Sequence, residues 1–243
     1  MTPASAPVLL IHGSFGRALH MQPLAERFMA AGFTCVNTSL PAHDPSDAVA
    51  LDTLTLPDYR VFVERLRAEQ TRPPIIVGHS MGGLLAQQLA ASGPCAAVVC
   101  LATAPPGMVM PQLRSLPDLI PMLPPFILGT PFRPSLSAFS NMAAQDLPAA
   151  EQLKLFETVG YESVKAYRAM VFGTSHVAVG EIRCPVLCVT PGDDRMIARR
   201  TSDGVVSRHQ ARHIVLEGRG HWIVAPSGID QVAKGVLEWL ARV

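Results

Sequence analysis

The chain places a serine where a nucleophile would be made. Ile75-Ile76-Val77 is an apolar run that meets Gly78-His79-Ser80-Met81-Gly82. The small-residue run Leu84-Leu85-Ala86-Gln87-Gln88-Leu89-Ala90 follows at once. The pattern reads as strand, sharp turn, helix, with Ser80 at the apex. Gly78 and Gly82 leave room where side chains would clash. The amides that open the helix would point at the same spot as the Ser80 hydroxyl. Serine alone is a poor nucleophile at neutral pH. It needs a base within hydrogen-bond reach, and the base needs a third group to fix its tautomer. Of eight histidines, only His221 sits at a late strand end in a Gly-x-Gly-His turn. Asp193 and Asp194, both at the end of another strand, are the candidates for the third group.

These residues need a scaffold that brings strand ends together. Val8–Ile11 reads as a short strand buried on both faces, ending in His12-Gly13-Ser14-Phe15-Gly16. Pro23 to Ala31 reads as a helix, with Pro23 in the first turn and Gly32 closing the end. Further strands are expected at 33–40, 75–78, 96–101, 186–190 and 213–216, and further helices at about 59–66, 84–90, 199–208 and from 226 onward. Six strands joined by helices imply an α/β fold with a doubly wound, mainly parallel sheet and helices on both faces. Ligands then bind beyond the carboxyl ends of the strands. Segments 12–16, 78–82, 192–194 and 218–221 all lie at such ends.

The alternation stops between residues 105 and 180. Nine prolines fall between Pro105 and Pro134, interleaved with Met108, Met110, Met122, Phe126 and Phe132, and 149–172 then looks helical. A Pro-broken, Met- and Phe-rich stretch of this size reads as a cap or lid inserted into a core made of 1–104 and 181–243.

The totals exclude several classes. The chain has 243 residues, 49% hydrophobic and 16% charged, with a formal net charge of +1. One α/β domain fits this length. Arg199-Arg200 is only a pair, so no basic stripe for a nucleic acid appears. No basic leader precedes Val8, and no apolar stretch approaches the roughly 18 residues of a membrane span. A cytoplasmic location is the expectation. The five cysteines (35, 95, 100, 184 and 188) read as reduced core thiols. Cys184 and Cys188 flank a strand without a completing His/Cys pair, so no metal site is expected. The mean hydropathy of +0.26 leaves room for a homodimer interface or a membrane-facing lid.

The whole chain resembles the α/β-hydrolase fold family of serine esterases, lipases and C–C hydrolases. The matching residues are His12-Gly13-Ser14, Gly78-His79-Ser80-Met81-Gly82, Asp194 and Gly220-His221, in the family's order of Ser, Asp, His. The resemblance implies Ser80 as nucleophile, His221 as base and Asp194 as its orienting carboxylate. Asp194-Arg195-Met196-Ile197-Ala198 fits the family's Asp-x-x-Val/Ile-Pro, with Ala198 in place of Pro, and Asp193 becomes a turn residue. The resemblance gives His12 a structural role in the oxyanion loop and turns His79 away from the serine. The backbone N–H groups of Ser14 and Met81 are the expected oxyanion hole. The Ser14 hydroxyl either adds a third donor or caps its own loop. Phe15, His20, Met108, Phe126, Phe132 and Trp222 are the expected substrate contacts. The other histidines (43, 176, 209 and 213) are expected to be solvated or locally satisfied. Extra antiparallel strands found at the start of many such folds are not expected. The implied activity is cofactor-independent hydrolysis of an ester-type bond in a small hydrophobic substrate, through an acyl-enzyme. A C–C hydrolase, lactonase or hydroxynitrile lyase would use the same three residues, and a slow-turnover ligand receptor is the rival of another class. A haloalkane dehalogenase is disfavoured, since that branch needs Asp at position 80.

Overall fold

The computed structural model describes residues 6–44, 47, 50–178 and 180–243. The first five residues, on which the expectation of no leader partly rests, lie outside the described residues. So do Pro45, Ser46, Ala48, Val49 and, within the 105–180 stretch, Val179.

Six strands form one all-parallel sheet in the order β2-β1-β3-β4-β5-β6. They are β1 (Val8–Ile11), β2 (Cys35–Asn37), β3 (Ile75–His79), β4 (Ala97–Leu101), β5 (Val186–Pro191) and β6 (Arg212–Leu216). The four central strands are buried along their whole length, as unbroken Val/Ile/Leu runs require when helices cover both faces. Edge strands β2 and β6 are only partly buried. The connecting helices are α1 (Ala18–Ala30), α2 (Leu56–Ala68), α3 (Met81–Ser92), α9 (Arg199–His209) and α10 (Ile229–Leu240). The chain steps from β1 outward to β2, then crosses back to β3 on the other side of β1. Right-handed crossovers therefore put α1 on one face and α2 and α3 on the other. In accord with this, α1 packs on α10 and α2 on α3. The reversal makes the carboxyl ends of β1 and β3 the point where a crevice must open.

Three boundaries differ from the sequence expectation. Helix α1 begins at Ala18, so Pro23 lies inside it rather than in its first turn. The proline leaves the carbonyl of Leu19 without a donor. Leu19 is exposed, so water can take that place. Strand β2 stops at Asn37 rather than Leu40, because the Leu40 N–H turns away to donate to His12 Nε2 at 2.9 Å. The helix expected over 149–172 is two helices, α7 (Ala149–Thr158) and α8 (Val164–Val171). Between them Glu162 pairs backbone to backbone with Phe132 as an antiparallel bridge, which a continuous helix would forbid. The Ser163 hydroxyl then caps α8 by accepting from the Ala166 N–H.

The chain between β4 and β5 also holds three shorter helices, α4 (Leu116–Leu119), α5 (Leu123–Leu128) and α6 (Leu136–Ala138). Prolines stand at the first or second position of α4 and α5, where a missing N–H costs nothing. Leu113, Ile120, Ile127 and Leu128 of this stretch are exposed.

Candidate active site

The turn after β3 holds Ser80 at φ 54° and ψ −116°. A non-glycine residue there is strained, and it persists only because its surroundings leave no alternative. Those surroundings are backbone at close quarters. A Cβ on Gly78 would overlap the carbonyl of Gly82, and one on Gly82 would overlap the carbonyls of Ile11 and His12. A Cβ on Gly13 would stand 2.8 Å from that of Ser80. The Ser80 N–H donates to the Leu101 carbonyl at 2.9 Å, and its carbonyl takes the N–H of Ala104 at 3.0 Å. Strand β4 thus grips the elbow from the side.

His221 and Asp194 meet Ser80 at the same sheet edge. His221 Nε2 lies 2.9 Å from Ser80 Oγ, and His221 Nδ1 lies 2.8 Å from Asp194 Oδ2. A carboxylate only accepts, so Nδ1 carries the proton and Nε2 is free to accept from the Ser80 hydroxyl. All three residues are buried. The second oxygen of Asp194 accepts the N–H groups of Met196 at 2.7 Å and Ile197 at 2.8 Å. Those two bonds fix the loop that the expected Pro, replaced by Ala198, would otherwise stiffen. Asp193 is exposed and serves as a turn residue. This is the arrangement in which an imidazole takes a hydroxyl proton while a carboxylate holds its tautomer.

His79 differs from the expectation. It does not turn away from the serine's side: it is buried on the cavity wall beside Ser80, its ring 5.2 Å from that of His221. The reason is a bond from His79 Nε2 to the His221 carbonyl at 3.0 Å, which pulls the ring under the base and fixes the base's backbone. Burial holds its pKa down at about 3, so it is neutral there.

Met81 follows Ser80 in the chain, and Ser14 lies against Met81. Met81 is the first residue of α3, where the N–H has no acceptor within the helix. The Gly13–Ser14 peptide has its carbonyl held by His12 Nδ1 at 2.9 Å and by the Gly16 N–H at 3.0 Å. A planar trans peptide then turns the Ser14 N–H the opposite way. The Ser14 hydroxyl neither caps its loop nor stands free. It donates to Met81 Sδ at 3.4 Å.

A cavity of about 360 Å³ opens above Ser80. Phe15, Met108, Phe126, Phe132 and Trp222 line it. Met110, Met122, Met142, Met170 and Met196 do too, and Met with three rotatable bonds makes an adaptable wall. Most of the lining comes from the stretch between β4 and β5. His20 is a correction: it does not line this cavity. Its Nδ1 accepts the Arg17 N–H at 2.9 Å to cap α1, and its Nε2 pairs with Thr158 Oγ1 at 2.9 Å. Position in the first turn of α1 decides this, and burial holds its pKa at about 4. Its ring backs Trp222 at 5.3 Å instead.

His43 is a third histidine that sequence reasoning misplaced. It is neither solvated nor satisfied only within its own turn, but buried against Glu162, with Nε2 3.2 Å from Glu162 Oε2. Its partner lies 119 residues further along the chain, so no local pattern signalled the pair. The five cysteines are free thiols, of which Cys100 and Cys188 are buried and Cys35, Cys95 and Cys184 half-buried. Among the described residues no group of acidic, His and Cys side chains is arranged to hold a metal ion, and no helix is long and apolar enough to cross a membrane.

Known proteins share the fold. The family model described as "Alpha/beta hydrolase family" matches residues 8–234. The chain belongs to the alpha/beta hydrolase family. This alpha/beta hydrolase is 26% identical over 245 residues to the (E)-2-((N-methylformamido)methylene)succinate hydrolase of Acinetobacter baylyi, covering 96% of the chain and 90% of that protein. In fold it is similar to a methylesterase from Arabidopsis, with a TM-score of 0.78 at 14% identity, covering 98% of this chain and all of that one. It is also similar to a monoacylglycerol lipase from Paleococcus ferrophilus, with a TM-score of 0.77 at 18% identity, covering 98% of this chain and 96% of that one.

Proposed function

We propose that this alpha/beta hydrolase cleaves an ester-type bond of a small, uncharged, hydrophobic substrate through an acyl-enzyme. The observation that carries the reading is the unbroken Ser80–His221–Asp194 hydrogen-bonded chain at the floor of an apolar cavity. Ser80 Oγ attacks the carbonyl as His221 Nε2 takes its proton. The N–H groups of Ser14 and Met81 stabilise the oxyanion. His221 then returns the proton to the departing alcohol. A water activated by the same histidine releases the acid. No step calls for a cofactor. Asp194 keeps His221 in the correct tautomer and balances the imidazolium. The stretch 105–180 acts as a cap whose methionine and aromatic side chains select the acyl or alkyl group. Five unpaired thiols suit a reducing, cytoplasmic compartment.

A C–C hydrolase or lactonase on the same three residues is the second reading. It is favoured by the relative from Acinetobacter baylyi, whose name gives a substrate with an amide and two carboxyl groups. A dianion needs cations, and among the described residues Arg195 is the one Lys or Arg on the cavity wall. The uncharged ester therefore stands first. A fluorophosphonate probe should label the wild type and not Ser80→Ala. Turnover of a p-nitrophenyl acyl ester should fall by about 10⁶ in that variant, as for triad knockouts in another serine hydrolase. Undiminished turnover in Ser80→Ala would remove the mechanism.

A further inference from the structure

The carboxylate of Glu162 is completely buried, and three donors converge on it. Oε1 accepts from Tyr59 Oη at 2.9 Å and from the Ser163 N–H at 2.8 Å, and Oε2 faces His43 Nε2 at 3.2 Å. The other ring nitrogen of His43 faces the Pro41 carbonyl at 3.0 Å. Both nitrogens of His43 thus face acceptors, and only the imidazolium can donate to both. Burying an ion pair in this way is costly unless the geometry is well satisfied, so it is weak as a source of stability.

Its placement suggests another use. Glu162 comes from the stretch between β4 and β5, while His43 follows β2 and stands with its ring 5.0 Å from that of His12. His12 Nε2 accepts the Leu40 N–H, so its proton sits on Nδ1, which donates to the Gly13 carbonyl. That bond sets the plane of the Gly13–Ser14 peptide, and hence the direction of the Ser14 N–H. The same short segment holds the oxyanion loop a second time, as the Gly160 N–H donates to the Phe15 carbonyl at 2.8 Å. It also pairs with Phe132 on the cavity wall.

We infer that Glu162, through the tilted His43–His12 ring contact, is a positioning residue that aims the Ser14 N–H at the oxyanion and couples the cap to the catalytic step. This rests on the esterase reading for its kinetic arm only. Glu162 touches no substrate and is absent from the cavity lining.

The titratable groups around His43 are His12, Tyr59, Glu162 and, beyond Glu162, Tyr167, with Asp58 near Tyr59. Asp44 follows His43 in the chain and is exposed. Burial opposes the charge on His43, but the carboxylate of Glu162 prevails and raises its pKa above 6.5. A group raised in this way keeps its charge pair complete below about 6.5 and loses it as pH climbs through the raised value.

Two measurements test the coupling. In the wild type, the Ser14 amide resonance should move with the same midpoint as the His43 ring in an NMR pH titration. A Ser14 amide that ignores the His43 titration overturns the inference, whatever the enzyme turns over. In Glu162→Gln, kcat on an acyl ester should fall about ten- to a hundredfold with KM within about twofold, short of the 10²–10³ lost when an oxyanion donor is removed outright. The alkaline limb of kcat should move to lower pH, and Glu162→Asp should recover part of the loss. His43→Gln should match Glu162→Gln, which keeps the test open if one variant folds poorly. A melting temperature that drops while kcat and its pH profile hold would show a purely structural pair. A wild type without Ser80-dependent ester turnover would instead count against the esterase reading, and the NMR titration would still decide this one.

Discussion

The two walls of the cavity are built on opposite principles. The sheet side is polar, strained and fixed: Ser80 sits in a left-handed conformation, three glycines admit no Cβ, and the Asp194 and His221 side chains are bonded at every polar atom that matters. The side contributed by the stretch between β4 and β5 is apolar, proline-broken and rich in methionine. On the proposed reading, one wall carries a single chemistry and the other fits a carbon skeleton. Reaction and selectivity should therefore be separable by mutation, with changes on the sheet side acting on kcat and changes on the other side acting on KM.

The largest effect expected beyond loss of the nucleophile is on the sheet side. Asp194→Asn keeps the shape but favours the wrong His221 tautomer, so kcat should fall by about 10⁴ with KM little changed, as measured by steady-state turnover of an acyl ester. A loss confined to KM would erase the distinction between the walls. On the other side, Phe126→Ser should cost about five- to tenfold in kcat/KM for a long acyl ester, almost wholly through KM, because roughly 1 kcal/mol of apolar contact is removed. An acetyl ester, too short to reach that wall, should hardly respond. Equal losses on both esters would mean that Phe126 supports the fold rather than the substrate.

A smaller effect separates the walls by acid. His12 and His20 are buried behind the sheet-side wall and His79 is buried on it, and burial is the main cause that lowers the pKa of each, to about 4 for His20 and about 3 for His79. A histidine whose folded pKa is depressed stabilises the fold above its ordinary value near 6.5 and withdraws that stability as pH falls toward the depressed value. Each contributes at most about 1.4 kcal/mol per pH unit. The raised pKa of His43 works in the opposite sense. The urea midpoint should fall steadily from pH 6.5 to 4.5, and His20→Gln should flatten the slope. A midpoint flat across that interval would mean these rings are solvated.

The sheet-side wall was legible in the sequence for the same reason that it is rigid. Strand ends must meet at one edge, and backbone packing around Ser80 leaves only glycine at 78 and 82, so local patterns carry the geometry. The choice of Asp194 over Asp193 came from the resemblance, through the Asp-x-x-Val/Ile-Pro pattern, and the Asp194 carboxylate receives the Met196 and Ile197 N–H groups while facing His221. The other wall was legible only as composition. Its methionines and phenylalanines indicated an apolar surface, but the break at Glu162 depends on pairing with Phe132, thirty residues away in sequence, which periodicity does not reveal. His20 and His43 were misplaced for a related reason. A histidine's partners, Thr158 for one and Glu162 for the other, come from the far stretch.

The proposed mechanism requires that Ser80 becomes acylated. Intact-protein mass spectrometry of a reaction with a p-nitrophenyl acyl ester, quenched in acid within the first turnovers, tests this directly. The account predicts one added acyl mass, located on Ser80 by peptide mapping and chased away by further incubation in water. An acyl group on any other residue, or full turnover with no adduct on Ser80, would contradict it.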